Sequence, residues 1–273
     1  MNAVHALVLG ALQGFTEVLP ISSSGHLILV PWLLKWPESG LTFDVALHLG
    51  TFLALAAYFR RDILEMCLAA VEAISTRSLS TPGKRLPFLV VASAVPAAII
   101  GKLFEKRIEE MVRTNIVLIA CLLVLFGLIL GLADTLGRKR EPLDRLSFSS
   151  AMSIGLMQCL ALLPGVSRSG ITMTAGLALG FSREAAARFS FLMSLPIVAG
   201  AAMLKLLHLF KHGIPAGEGV PMLIGIVVSA ITGYISVAFL LKLVQKNSLG
   251  IFVWYRVLAG GLLLAAIAGG FVR

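Results

Sequence analysis

Two stretches decide the reading: QGFTEVLPISSSG at residues 13–25 and QCLALLPGVSRSG at residues 158–170. Laid over one another at an offset of 145 residues, Ser22 falls on Ser167, Ser24 on Ser169 and Gly25 on Gly170, while Pro20 and Pro164 miss by one. Each interrupts apolar sequence with serines, a proline and a glycine, where a membrane-spanning helix has no use for them. Each is flanked by two short apolar segments, 3–19 and 26–36 for the first and 148–163 and 170–181 for the second. Half-length helices joined by such a break predict a re-entrant hairpin, which dips into the bilayer and returns to the same side.

Six further stretches are long enough, or nearly so, to cross about 30 Å of hydrocarbon: 43–59, 86–104, 116–133, 189–209, 221–244 and 251–272. Each half of the chain therefore reads as a broken pair followed by three spans. A hairpin does not change sides and three crossings do, so the second half starts from the opposite face. The expected architecture is one all-α polytopic membrane domain, 1–273, built as an inverted repeat of 1–147 and 148–273. Such folds place their site near the midplane, where the broken helices meet.

Composition agrees. Of 273 residues 58% are hydrophobic and only 14% charged, against roughly 25% charged in a soluble domain. The net charge of +9 does not point to nucleic acid, because basic residues bordering membrane spans account for it. Under this topology thirteen Lys and Arg, from Arg60 to Lys246, fall on one side and eight, from Lys35 to Arg273, on the other. The positive-inside rule makes the richer side cytoplasmic and both termini external. Cys67, Cys121 and Cys159 are scattered among apolar neighbours, which predicts packing rather than a disulfide or metal site. No basic segment precedes the first apolar stretch, so a cleaved leader is not expected.

The polar residues at the breaks carry the chemistry. A serine-rich break followed by a helix, at His26 and again at Ile171, presents hydroxyls and unpaired N–H groups at the positive end of a helix dipole. Arg168 adds a planar fork of donors matched to phosphate oxygens. An arginine at mid-membrane depth costs at least about 2.5 kcal/mol, so its default reading is functional. Two such tips meeting suit a phosphate or diphosphate. Gln13 and Glu17, four residues apart, share a helix face; Glu17 is a candidate metal ligand, general base or partner for Arg168. Ser23 and His26 are a candidate nucleophile and base. Asp44 opens a span as a candidate helix cap and a second candidate metal ligand. Thr172 and Thr174 lie near the second tip. Arg256 is read as reaching the cytoplasmic interface, and His5 and His48 as residues lining the bundle.

At these residues the sequence resembles the bacterial undecaprenyl-diphosphate phosphatases of the bacitracin-resistance type. QGFTEVLPISSSGHL matches their (E/Q)-x-x-x-E segment with its trailing serines and histidine, and LLPGVSRSGITMT their P-G-x-S-R-S-x-x-T segment. The likeness runs over essentially the whole chain. It implies an integral enzyme of the bacterial plasma membrane that removes the terminal phosphate of undecaprenyl diphosphate. The product is the recycled lipid carrier of peptidoglycan synthesis, and bacitracin tolerance follows. It implies a divalent cation, Mg2+ or Ca2+, and a pocket open to the outer face. Carried over, the family's motifs fall on Gln13, Glu17, Ser22, Ser23 and His26, and on Ser167, Arg168, Ser169 and Thr172. Together with Ser24, Gly25 and Gly170 of the two breaks, they give an expected catalytic set of Glu17, Ser23, His26 and Arg168 and an expected substrate-binding set of Gln13, Ser22, Ser24, Gly25, Ser167, Ser169, Gly170 and Thr172. Many members have Glu at Gln13, which shifts the anionic burden onto Glu17, with Asp44 to share it. Expected partners are the polyprenyl diphosphate and the bilayer, with a second copy of the chain as a further candidate. Two alternatives stay open: attack by Ser23 or directly by water, with His26 or Glu17 as base. The rival class is a lipid-phosphate flippase or secondary transporter, which the inverted repeat also fits.

Overall fold

The computed structural model describes residues 2–37, 40–212 and 217–270, some of them as backbone only. Arg273 and the end of the last expected span, with the side chains of Lys106, Lys205, His208, Lys211 and His212, lie outside the described residues. Among the described residues the regular secondary structure is helical apart from one isolated bridge between Glu141 and Phe181. In chain order the helices are α1 (Ala3–Val18), α2 (Ser23–Leu34), α3 (Leu41–Tyr58), α4 (Arg60–Thr76), α5 (Pro82–Val112), α6 (Ile116–Leu136), α7 (Phe148–Gln158), α8 (Arg168–Ala178), α9 (Arg183–His212), α10 (Gly219–Lys246) and α11 (Gly250–Ala268). Short 3₁₀ turns lie at Leu143–Arg145 and Cys159–Leu162.

Among the described residues four helices are long and apolar enough to cross a membrane: α5 over Pro82–Phe104, α6, α10 and α11. A fifth candidate is the pair α3–α4, bent by 74° where one helix passes into the other at Phe59. Helix α4 is an element the sequence reading lacked. Its charged residues Arg60, Arg61, Asp62, Glu65 and Glu72 hide the apolar stripe Leu64, Leu68 and Val71, which is exposed.

Both breaks differ from expectation in the same way. Helix α2 begins at Ser23 rather than His26, and α8 at Arg168 rather than Ile171. The caps are Ser22 and Ser167, both with positive φ, 79° and 73°. A non-glycine residue there is strained, and the serine hydroxyls offset the strain by capping. Ser22 Oγ accepts from the Gly25 N–H at 3.4 Å, and Ser167 Oγ from the Gly170 N–H at 3.1 Å.

Packing elsewhere relies on close helix approach. A Cβ on Gly14 of α1 would lie 1.9 Å from Thr232 Oγ1 of α10, and one on Gly50 of α3 would lie 2.4 Å from the Ile226 carbonyl of the same helix. Small residues at crossings are how helices associate where lipid is as apolar as leucine. Helix α6 packs along α11, α7 on α5, and α8 on α6 and α9. A charged staple joins three helix ends: Arg183 of α9 donates to both carboxylate oxygens of Asp134 in α6 at 2.5 and 3.1 Å. The Leu249 N–H before α11 donates to the same carboxylate at 2.9 Å. Arg188 pairs with Asp62, tying α9 to α4. Cys67 and Cys121 are exposed rather than packed inside, and all three cysteines are free.

Candidate active site

The two breaks touch, and one buried arginine holds them. Arg256 of α11 has no exposed surface. Its guanidinium donates to the Pro20 carbonyl of the first break at 3.3 Å and to the Gly165 and Val166 carbonyls of the second at 2.9 and 3.0 Å, while Nε donates to the Leu123 carbonyl of α6 at 3.1 Å. Serines complete the seam: the Gly165 N–H donates to Ser22 Oγ at 3.1 Å, and Ser169 Oγ to the Leu19 carbonyl at 3.2 Å. Arg256 therefore does not reach an interface. It satisfies backbone that the breaks leave unpaired, which is what irregular chain inside a membrane protein requires.

Beside this seam lies a cavity of about 390 Å³, lined by Glu17, Ser23, Ser24, Ser167 and Arg168 among others. Glu17 is its centre. The Ser23 hydroxyl donates to Glu17 Oε2 at 2.5 Å, and Arg168 Nη2 donates to Oε1 at 2.5 Å. Gln13 Nε2 reaches Oε2 at 3.3 Å, as its i, i+4 spacing predicts. Since Ser22 and Ser167 are caps, Ser23 and Arg168 are each the first residue of their helix. Both line the cavity at a helix N-terminus, a setting that favours an anion.

Other expected residues are distributed less simply. The structure does not bring His26 to Ser23. Its Nδ1 donates to the Ser22 carbonyl at 2.7 Å, leaving Nε2 to accept from the Tyr255 hydroxyl at 2.7 Å, with the two rings stacked. His26 thus braces the first break against α11. Thr172 donates back to the Arg168 carbonyl at 2.8 Å and meets Ser190 Oγ at 2.7 Å, and Thr174 donates back to the Gly170 carbonyl. Gly25 and Gly170 are sites of close approach: a Cβ at 25 would lie 3.4 Å from Gly165, and one at 170 would lie 2.9 Å from Arg256 Nη1. Asp44 is not the cap of α3, a place taken by Gly40, but lies in the first turn and lines the cavity.

Two residues join the site that the sequence reading had placed elsewhere. His48 Nε2 lies 3.5 Å from Glu17 Oε2, while Nδ1 donates to the Asp44 carbonyl at 2.8 Å. Arg113 pairs with Asp44 Oδ2 at 3.1 Å. His48 is one turn after Asp44, so the spacing was there to be read. Arg113 follows the end of α5, 69 residues away in sequence, and no local signal announces it.

Comparison with known proteins gives the family. The model of the bacitracin resistance protein BacA matches residues 6–262. The chain belongs to the BacA family. Relatives of this BacA chain include the undecaprenyl-diphosphatase of Pelobacter propionicus, 68% identical over 99% of both chains. That of Geobacter metallireducens is 63% identical over 97% of this chain and 98% of its own. A more distant one from Thermomicrobium roseum keeps 44% identity over 98% and 99%. As a BacA member the chain is a polytopic membrane protein.

Proposed function

We propose that this chain hydrolyses undecaprenyl diphosphate to undecaprenyl phosphate and inorganic phosphate, recycling the lipid carrier of peptidoglycan synthesis. Removal of the diphosphate lipid that bacitracin sequesters gives tolerance to the antibiotic. The observation that carries the reading is the Ser23–Glu17–Arg168 chain at the cavity wall, within a family whose relatives bear that activity in their names.

In the mechanism, the lipid tail stays in the bilayer and the diphosphate enters the cavity. Arg168 in the resting site holds Glu17. An incoming terminal phosphate competes for its guanidinium, and the exchange releases Glu17 to take the Ser23 proton. Ser23 Oγ then attacks the terminal phosphorus in line, the bond from that phosphorus to the bridging oxygen breaks, and undecaprenyl phosphate leaves with the proton held by Glu17, which is a carboxylate again. Water next attacks the phosphoserine; its proton passes to Glu17 and on to the departing Ser23 oxygen. Positioning and charge neutralisation do most of the work in phosphoryl transfer. Here they fall to Arg168 and the first turns of α2 and α8. His26 acts on this chemistry through the break it braces, which leaves Glu17 as the base.

A divalent cation fits this site only in company. Glu17 and Asp44 line the same cavity but each is paired with an arginine, and the described residues form no group of three His, Cys, Asp or Glu. A hard cation needs six or more oxygens, so the lipid diphosphate would supply most of them, with Glu17 and Asp44 on the protein side. Bound there, the ion would neutralise phosphate charge.

Six spans and two re-entrant hairpins arranged as an inverted repeat complete the reading, in a plasma-membrane protein whose cavity opens outward. Three observations support the repeat. The break caps share one backbone conformation. Each break's first helix packs on the middle span of the other half, α1 on α10 and α7 on α5. The final spans α6 and α11 pair with each other. The deciding experiment is phosphate release from undecaprenyl diphosphate in detergent by wild type, Glu17→Gln and Arg168→Ala. Loss of the base predicts a fall of roughly 10²- to 10⁴-fold. Wild-type protein that releases no phosphate would return the fold to the flippases and transporters, which need a sealed bilayer to be seen.

A further inference from the structure

A buried amide beside the catalytic chain is still unused. Gln158, the last residue of α7, is 2% exposed and lines the cavity with Ser23, Glu17 and Arg168. Neither its Nε2 nor its Oε1 has a hydrogen-bond partner among the described residues. Its placement is fixed by the helix that carries it. One turn earlier Gly155 lies so close to α5 that a Cβ would sit 2.2 Å from the Ser93 carbonyl. With α7 pinned there, Gln158 is held at the cavity wall where Ala97, one turn after Ser93, also lies.

A buried donor and a buried acceptor on one side chain call for a ligand that offers both. Ionised phosphate oxygens only accept; they would satisfy Nε2 and leave Oε1 bare. Water satisfies both. We infer that Gln158 holds the water that hydrolyses the phosphoserine, an inference that rests on the proposed Ser23 chemistry. In-line geometry requires this water on the side of phosphorus opposite Ser23 Oγ, the side the lipid phosphate has just vacated. Gln158 comes from the second break, whereas Ser23 and Glu17 belong to the first. The water oxygen bonds to phosphorus as the bond to Ser23 Oγ breaks. Oε1 accepts a hydrogen bond from one water hydrogen, which stays on the phosphate; Glu17 takes the other and passes it to the Ser23 oxygen, and inorganic phosphate leaves.

The test separates the two half-reactions. Undecaprenyl diphosphate labelled with ³²P in the terminal phosphate is mixed with enzyme in detergent, quenched rapidly, and scored for lipid monophosphate, free phosphate and labelled protein. Gln158→Met, close in volume and without either hydrogen bond, is expected to release lipid monophosphate in a burst near one per enzyme. Free phosphate then lags, its steady rate down roughly 10- to 100-fold, with label retained on Ser23. The burst itself reports a folded site. Gln158→Asn, which withdraws the amide by one methylene, is expected to behave alike. Both products falling in parallel, unchanged kinetics, or a burst from neither variant would overturn the assignment. Ser23→Ala hydrolysing at the wild-type rate would instead sink the phosphoserine reading beneath it.

Discussion

Replacing Arg256 by methionine removes four donors from one buried point. The guanidinium meets carbonyls of Leu123, Pro20, Gly165 and Val166 at 2.9–3.3 Å, and methionine fills similar length without any of them. A buried acceptor left unsatisfied costs about 1–3 kcal/mol. The low end applies, because a carbonyl keeps a second lone pair and the breaks can shift toward water in the cavity. Four carbonyls at about 1 kcal/mol each come to about 4 kcal/mol, a large share of the roughly 5–15 kcal/mol that holds most folds. At about 2–4 °C per kcal/mol for a chain of this size, Arg256→Met should melt roughly 8–16 °C below wild type in detergent. Arg256→Lys should fall between them, since an ammonium restores the charge and reaches fewer carbonyls. Activity at a temperature where both variants remain folded should also drop, because Ser23 and Arg168 start the helices that the seam positions. A methionine variant melting within 2 °C of wild type with full phosphate release would refute the idea that this side chain holds the breaks together.

Other changes separate stability from chemistry. Gly14→Leu drives a side chain into Thr232 and the α10 backbone; it should cost at least about 1–3 kcal/mol, read as lower yield and melting temperature, whereas Gly83→Ala, with open space at its Cβ, should cost little. Asp134→Ala leaves Arg183 and the Leu249 N–H without their acceptor, and about 3–5 kcal/mol should be lost; each molecule still folded should work at the wild-type rate. His48→Ala removes a neighbour of Glu17 but no backbone support beyond its bond to Asp44. Phosphate release should fall by no more than about 10-fold, because Nε2 lies 3.5 Å from the carboxylate, beyond a full hydrogen bond, with the melting temperature nearly unchanged.

What the sequence disclosed follows from how local each signal is. The Ser-x-Ser-Gly segments at Ser22 and Ser167 reveal both breaks because their polarity stands out against apolar neighbours. The i, i+4 spacing of Gln13 and Glu17 gives their contact. The start of α2 was misplaced because serine rarely adopts the positive φ found at Ser22, and propensity points to a later start. That shift matters, since it makes Ser23 a first-turn residue facing Glu17 instead of a neighbour of His26. The His26–Tyr255 contact spans 229 residues, and the Arg256 bonds to the breaks span 90 to 236. Such pairings arise only from packing. Helix α4 was missed for a different reason: its charged face masks an apolar stripe too narrow to register as a span.

The shared cap conformation carries a consequence for direction. At an offset of 145 residues Ser23 of the first tip corresponds to Arg168 of the second. Two like tips would read a diphosphate equally well from either end, and a linear anhydride has two phosphorus atoms open to attack. Giving one tip a hydroxyl and the other a guanidinium at the same register removes that ambiguity. A substrate docked this way would have one orientation, with the Ser23 hydroxyl at the outer phosphorus and the bond from that phosphorus to the bridging oxygen broken. On the proposed chemistry, a single unlike pair of residues beside matching caps would thus decide which of the two phosphorus atoms is attacked.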